Sequence, residues 1–168
     1  MARHLQFPQF KETFMRARDL MSQPVATCHV NDTLNIAAML MWNHDCGAVA
    51  VVRDDGKLSG MITDRDICMA AFTQGRPIDQ ILVNAVMAIH PTSAHPEQTV
   101  GEVEQMMAER QVRRIPVVDA ENKPVGMISL NDVAIESAKP DTTLNNGSAQ
   151  VGQLLSTICK PRSPKRKA

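Results

Sequence analysis

The sequence predicts a mixed α/β fold (α+β): two tandem β-α-β-β-α repeats packed with pseudo-twofold symmetry into one module. Three observations predict it. The phrase GMITDRD at Gly60 to Asp66 returns as GMISLND at Gly126 to Asp132, an offset of 66 residues. The same offset pairs Met21 with Met87, His29 with His95, Thr33 with Thr99, Val51 and Val52 with Val117 and Val118, and Lys57 with Lys123. Each phrase also follows a short valine-rich run and a polar turn, the pattern of two strands joined tightly.

The elements follow in chain order. Residues 1–18 form an expected helical arm, with Phe7, Phe10, Phe14 and Met15 at roughly helical spacing. Repeat 1 spans 19–80 and repeat 2 spans 81–138. Each starts with a short extended segment, Val25 to Cys28 and Pro91 to Ala94. A helix follows, its apolar stripe formed by Leu34, Ala37, Ala38 and Met41 in one copy and Val100, Val103 and Met107 in the other. Thr99 and Glu102 form an expected capping box, and Asp32 with Thr33 offers a similar cap. Ala48 to Val52 and Ile115 to Val118 read as strands, a second strand ends in each glycine phrase, and a helix carrying Ile67, Ala70 and Ala71, or Val133 and Ala134, closes each unit. One such unit cannot cover both faces of its sheet, so the copies are expected to pack strand against strand. Residues 139–168 read as a polar linker, a short amphipathic helix (Val151, Leu154, Leu155, Ile158) expected to dock on a dimer or partner, and a basic disordered tail from Lys160 to Ala168.

Composition narrows the function classes. The 18 basic and 18 acidic side chains cancel, so no global field draws the protein to nucleic acid or a membrane. Aromatics make up 3 % of the chain, which implies an aliphatic, methionine-rich core. The four cysteines show no CxxC and no structural-zinc spacing, and read as reduced thiols. The start has no continuous apolar stretch, and no run reaches the 18 apolar residues of a spanning helix, so a cytoplasmic setting is the expectation. His29 and His95 recur through ancestry, and His44 beside Asp45 lacks a nucleophile, so no catalytic residue is assigned and the protein is not expected to be an enzyme.

The glycine phrases carry chemistry. Thr63 and Ser129 stand where a strand gives way to a helix, where free backbone N–H groups and the positive end of the helix dipole favour an anion. Asp66 and Asp132, one turn on, can each accept two hydrogen bonds, the number that a ribose diol donates. Adenine would slot against the aliphatic strands, at Ala48, Val49 and Ile115, with Thr27 and Ser93 adding polar contacts. The competing reading is that Thr-x-x-Asp and Ser-x-x-Asp are helix caps with no ligand.

Gly60-Met-Ile-Thr63-Asp64-Arg65-Asp66 and Gly126-Met-Ile-Ser129-Leu-Asn131-Asp132 resemble the motif of the CBS domain family, whose members occur as tandem pairs called Bateman modules. The resemblance covers about residues 19–138. It implies a regulatory, signalling module that binds an adenosine-containing ligand (AMP, ADP, ATP, S-adenosylmethionine or NAD(H)) in clefts between the repeats, with no required cofactor and no metal. It also implies a homodimer acting in trans on an effector protein. In related modules, basic residues at the strand positions of Arg113 and Arg114 reach phosphates, which places these two in that role where repeat 1 has Gly47 and Ala48. Arg65, opposite Asn131, could clamp a phosphate or pair with Asp64. A ligand-free interaction scaffold is the alternative, and nucleic-acid binding through the basic tail a third.

Overall fold

The computed structural model describes residues 14–140, 142, 144 and 147–160. After helix α1 (Ala17–Leu20), the first half runs β1 (Thr27–His29), α2 (Leu34–Asn43), β2 (Ala48–Val52), β3 (Leu58–Thr63) and α3 (Asp64–Gln74). A short connection with two 3₁₀ turns leads to β4 (Ala88–Ile89). The second half runs α4 (Val100–Arg110), β5 (Arg114–Val118), β6 (Pro124–Ser129) and α5 (Leu130–Ser137), and α6 (Gly147–Ile158) follows. The β-α-β-β-α order of the first half matches the expectation. In the second half the extended segment before α4 is reduced to one parallel bridge between Ala94 and Val117.

Alternation along the strands sets the layers. In β2, Val49 and Val51 enter a core with Leu34, Ala37 and Met41 of α2 and Ile67 and Ala70 of α3. Ala48 and Ala50 face the opposite way, into a thin layer with Leu58, Met61 and Val118. Both faces are covered, which is why the run is apolar throughout rather than alternating. The same alternation in β5 sends Ile115 and Val117 into the second core with Val100, Val103, Met107 and Val133.

The halves are interlocked by their lead-in segments. β4, in the opening segment of repeat 2, pairs antiparallel with β3 of the first sheet through Gly60–Ile89 and Met61–Ala88. Ser22, in the opening segment of repeat 1, bridges Met127 of β6 in the equivalent manner. Likewise Leu34 N–H donates to Ile81 O at 2.8 Å, and Val100 N–H donates to Met15 O at 2.9 Å. Gly60 and Gly126 accommodate this crossing. A Cβ on Gly60 would lie 2.6 Å from the Met87 sulfur, and one on Gly126 would collide with the sulfur of Met21.

Helix starts differ from expectation at one point. Thr99 and Glu102 form the capping box, as do Thr63 with Asp66 and Ser129 with Asp132. Thr33 makes no side-chain cap bond, and Asp32 turns its carboxylate back to accept from the His29 N–H at 2.7 Å. The terminal arm also differs: Ala17 is fully buried and Met15 packs beside it, both in the second core, whereas Phe14 is exposed. Phe7, Phe10 and the tail beyond Lys160 lie outside the described residues. The amphipathic helix α6 docks its apolar face on its own chain. Val151, Leu154 and Ile158 complete the second core, and Gln111 Nε2 donates to Thr157 O at 3.4 Å.

Candidate functional site

Two clefts of similar size open where the halves meet. One, of about 850 Å³, contains Thr63, Arg65 and Asp66 at the β3–α3 junction. The other, of about 830 Å³, contains Ser129, Asn131 and Asp132 at the β6–α5 junction. Each is walled by both repeats. Across the first stand Arg113, Arg114 and Pro116, and across the second stand Cys46, Gly47 and Ala48. The volumes lie within the range of small-molecule sites, roughly 300–1,000 Å³.

At the first junction, Asp66 Oδ2 accepts from the Thr63 N–H at 3.0 Å and from its hydroxyl at 2.7 Å, and Thr63 Oγ1 accepts from the Asp66 N–H at 3.2 Å. At the second, Asp132 Oδ2 accepts from the Ser129 N–H at 2.7 Å and its hydroxyl at 2.6 Å, and Ser129 Oγ accepts from the Asp132 N–H at 3.3 Å. The cap and ligand readings therefore do not compete for the same atom. In both carboxylates the cap uses Oδ2, and among the described residues Oδ1 makes no hydrogen bond. One oxygen fixes the carboxylate on a part-buried wall, and the other keeps its acceptor capacity.

Several expected contacts are displaced. Val49 and Ile115 are fully buried in the two helix-facing cores and line neither cleft, because only alternate strand residues face the other sheet. Ala48 and Arg114, at equivalent strand positions, are the ones that do. Thr27 is exposed and Ser93 half-buried, and neither lines a cleft. Their places are taken by residues just before them, Val25 and Ala26 in one cleft and Pro91 and Thr92 in the other. Asp64 faces a separate groove between α2 and α3. Its Oδ1 accepts from the Arg65 N–H at 2.6 Å, while the Arg65 side chain forms no ion pair among the described residues.

Arg113 and Arg114 reach both clefts. Gly47 makes room for this: a Cβ there would lie 2.9 Å from Arg114 Nη2 and 2.9 Å from Asp64 Oδ2. The contributors that were not foreseen include α6 and the residues that follow it, beside Asp45 in the Ser129 cleft and Gln111 in the Thr63 cleft. Leu155 lines the Ser129 cleft, and Cys159 and Lys160 line the Thr63 cleft. The recurring histidines serve loops instead, with a His95 ring nitrogen 3.2 Å from Val118 O and His29 beside Asp54. Cys28 is inert, its thiol pushed up to about 12 by burial. Among the described residues no group of three His, Cys, Asp or Glu side chains gathers to hold a metal, and no helix is long and apolar enough to cross a membrane.

A duplicated β-α-β-β-α unit with interlocked lead-ins and paired inter-repeat clefts defines a tandem-repeat module. The chain belongs to the CBS domain family, whose model matches residues 17–72 and again 83–144. It is 42 % identical over 118 residues to the CBS domain-containing protein YhcV of Bacillus subtilis, covering 70 % of this chain and 82 % of that one. Among solved structures it is similar to the CBS domain pair of protein MJ0100 in complex with 5′-methylthioadenosine and S-adenosyl-L-methionine. That match has a TM-score of 0.67 and 27 % identity, and covers 73 % of this chain and 95 % of the other. It is also similar to Hypoxic Response Protein I with two coordinated zinc ions, with a TM-score of 0.65 and 34 % identity over 72 % of this chain and 98 % of that one.

Proposed function

We propose that this chain is a regulatory module that binds adenosine-containing ligands in its two inter-repeat clefts and passes their occupancy to an effector protein in trans. The observation that carries this is the pair of anchored carboxylates on the cleft walls, Asp66 and Asp132, each with one oxygen committed to the cap and the other without a hydrogen bond among the described residues. A ribose hydroxyl needs an acceptor held in place. The similarity to a CBS pair solved with methylthioadenosine and S-adenosylmethionine supports the same ligand class. The proposed role is recognition rather than catalysis.

Calorimetry of the chain against AMP, ATP, methylthioadenosine, S-adenosylmethionine and NADH tests the reading. Binding is expected for at least one of these. Asp66→Ala and Asp132→Ala each weaken the affinity of their own cleft by about tenfold or more, the value of one or two hydrogen bonds to a charged group. A scaffold without a ligand would show no heat with any of the five and would lose only about 1 kcal/mol of stability per lost cap.

The module is also proposed to work as a homodimer joined through repeat 1. Helix α2 carries no charged residue, and with α3 it exposes Met39, Trp42, Met69 and Phe72. The equivalent positions of repeat 2 are Gln105, Ala108, Ile135 and Ala138. Depletion of charge with enrichment of Trp, Phe and Met is the composition of an interface core. An uncharged patch meets its own copy without repulsion. Two aromatics per protomer at roughly 150–250 Å² each, doubled by a twofold axis, approach the roughly 1,000 Å² that a specific interface needs. Light scattering is expected to give a dimer for the native chain and a monomer for Trp42→Glu/Phe72→Glu. A monomeric native chain would refute the pairing.

A further inference from the structure

The two clefts are equivalent in position but not in charge. The Thr63 cleft is lined by Arg65, Arg113, Arg114 and Lys160 against the single carboxylate of Asp66. The Ser129 cleft shares Arg113 and Arg114 but sets them against Asp45 and Asp132. Three differences produce the asymmetry. Arg65 stands where the other copy has Asn131, Gln111 stands where the other has Asp45, and Lys160, just past the end of α6, reaches only the Thr63 side. None of the four cations forms a salt bridge among the described residues. Arg113 is further placed at the end of α6 by a contact of 3.9 Å between its Nη2 and the Cys159 sulfur. Cations gathered in a walled cleft repel one another and focus a positive potential that a multiply charged anion neutralises. Where the cations are balanced by carboxylates, the same anion gains little.

We propose that the Thr63 cleft takes an adenosine polyphosphate, while the Ser129 cleft takes an adenosine compound without a polyphosphate chain. The module then reads two chemically different adenosine ligands at once. This rests on the adenosine reading above and goes beyond it by assigning a ligand class to each cleft. The carboxylate and helix terminus are common to both clefts and hold the nucleoside. Arg65 and Lys160, present in only one, hold the phosphates together with Arg113 and Arg114 of the same cleft.

The test is calorimetry of the full chain with ATP and, separately, with methylthioadenosine, repeated for Arg65→Ala/Lys160→Ala. Both side chains are exposed, so the fold is retained, and an unchanged circular dichroism spectrum checks this. The expected result is at least a tenfold loss of ATP affinity, since each charge-assisted contact to phosphate is worth about that factor, with less than about a twofold change for methylthioadenosine. ATP affinity of the native chain also falls steeply with added salt. Lys160→Arg, which keeps the charge, retains ATP binding, and Arg53→Ala, at a turn outside both clefts, has no effect. Equal ATP affinity in the double variant and the native chain overturns the assignment and leaves the adenosine reading standing. So does loss of ATP binding in Asp132→Ala with Asp66→Ala unaffected. Absence of binding by either compound to the native chain overturns both.

Discussion

Glu104 and Ala38 hold equivalent positions on α4 and α2, yet Glu104 is only 7 % exposed and lies on the helix against which α6 packs. Burial holds its carboxyl above the usual range. The folded state therefore binds the proton more readily than the unfolded chain, and the contribution of this group is fully present below the ordinary glutamate value. It is lost as pH rises through the raised one. Glu104→Gln removes that dependence. Calorimetric melting is expected to show the variant more stable than the native chain at pH 8, with the gain shrinking toward pH 4; a gain that grows on acidification would contradict it. Single residues also mark where the sequence was legible. Thr63, Asp66, Ser129 and Asp132 could be placed because the repeated phrase fixes both their chemistry and their junction. Val49 and Ile115 were misplaced because a run apolar on both faces hides which face each residue takes. Gly47 looked like a missing cation, whereas it leaves the space that Arg114 and Asp64 occupy.

Among the elements, α6 shows most clearly what a one-dimensional pattern can and cannot supply. Its apolar stripe was readable, but its seat was not, since the stripe states that a partner exists without naming it. Its docking explains why repeat 2 needs a third helix. The lead-in at Met15 to Leu20 and the α4–α5 pair leave room that Val151, Leu154 and Ile158 fill. Leu154 is 6 % exposed and Leu155 is 41 % exposed on the cleft side, so the two adjacent leucines do different work. Leu154→Ala is expected to cost about 2–4 kcal/mol in denaturant unfolding, the range for a buried leucine. Leu155→Ala is expected to change stability by no more than about 0.5 kcal/mol and to alter ligand affinity in the Ser129 cleft instead. Equal destabilisation by the two would mean that α6 does not present these faces.

At the scale of the molecule, the repeat drawn along the sequence is not the unit that packs. Ile81 and Val83, which open the second repeat in sequence, are fully buried in the first core, and Ala17, ahead of the first repeat, is fully buried in the second. Each sheet is extended by the lead-in of the other copy, through β4 on β3 and Ser22 on β6. Duplication made the two halves recognisable, but the crossing was not legible, because it depends on contacts of Met21 and Met87 with glycines more than 25 residues away in sequence. Cutting the chain between the repeats therefore damages both cores. Residues 81–168 alone lack Met15, Ala17 and Met21. Residues 1–80 alone lack Ile81, Val83 and Met87, and a half of this size is already marginal in the surface it buries. Neither fragment is expected to give a cooperative melt, whereas mixing them restores one if the crossing segments re-dock. The intact chain is expected to unfold in a single transition that Ile81→Ala and Ile115→Ala both lower, by about 2–4 kcal/mol each. Two separated transitions, or a fragment that melts cooperatively by itself, would show that the halves are independent and that the lead-ins do not bind them together.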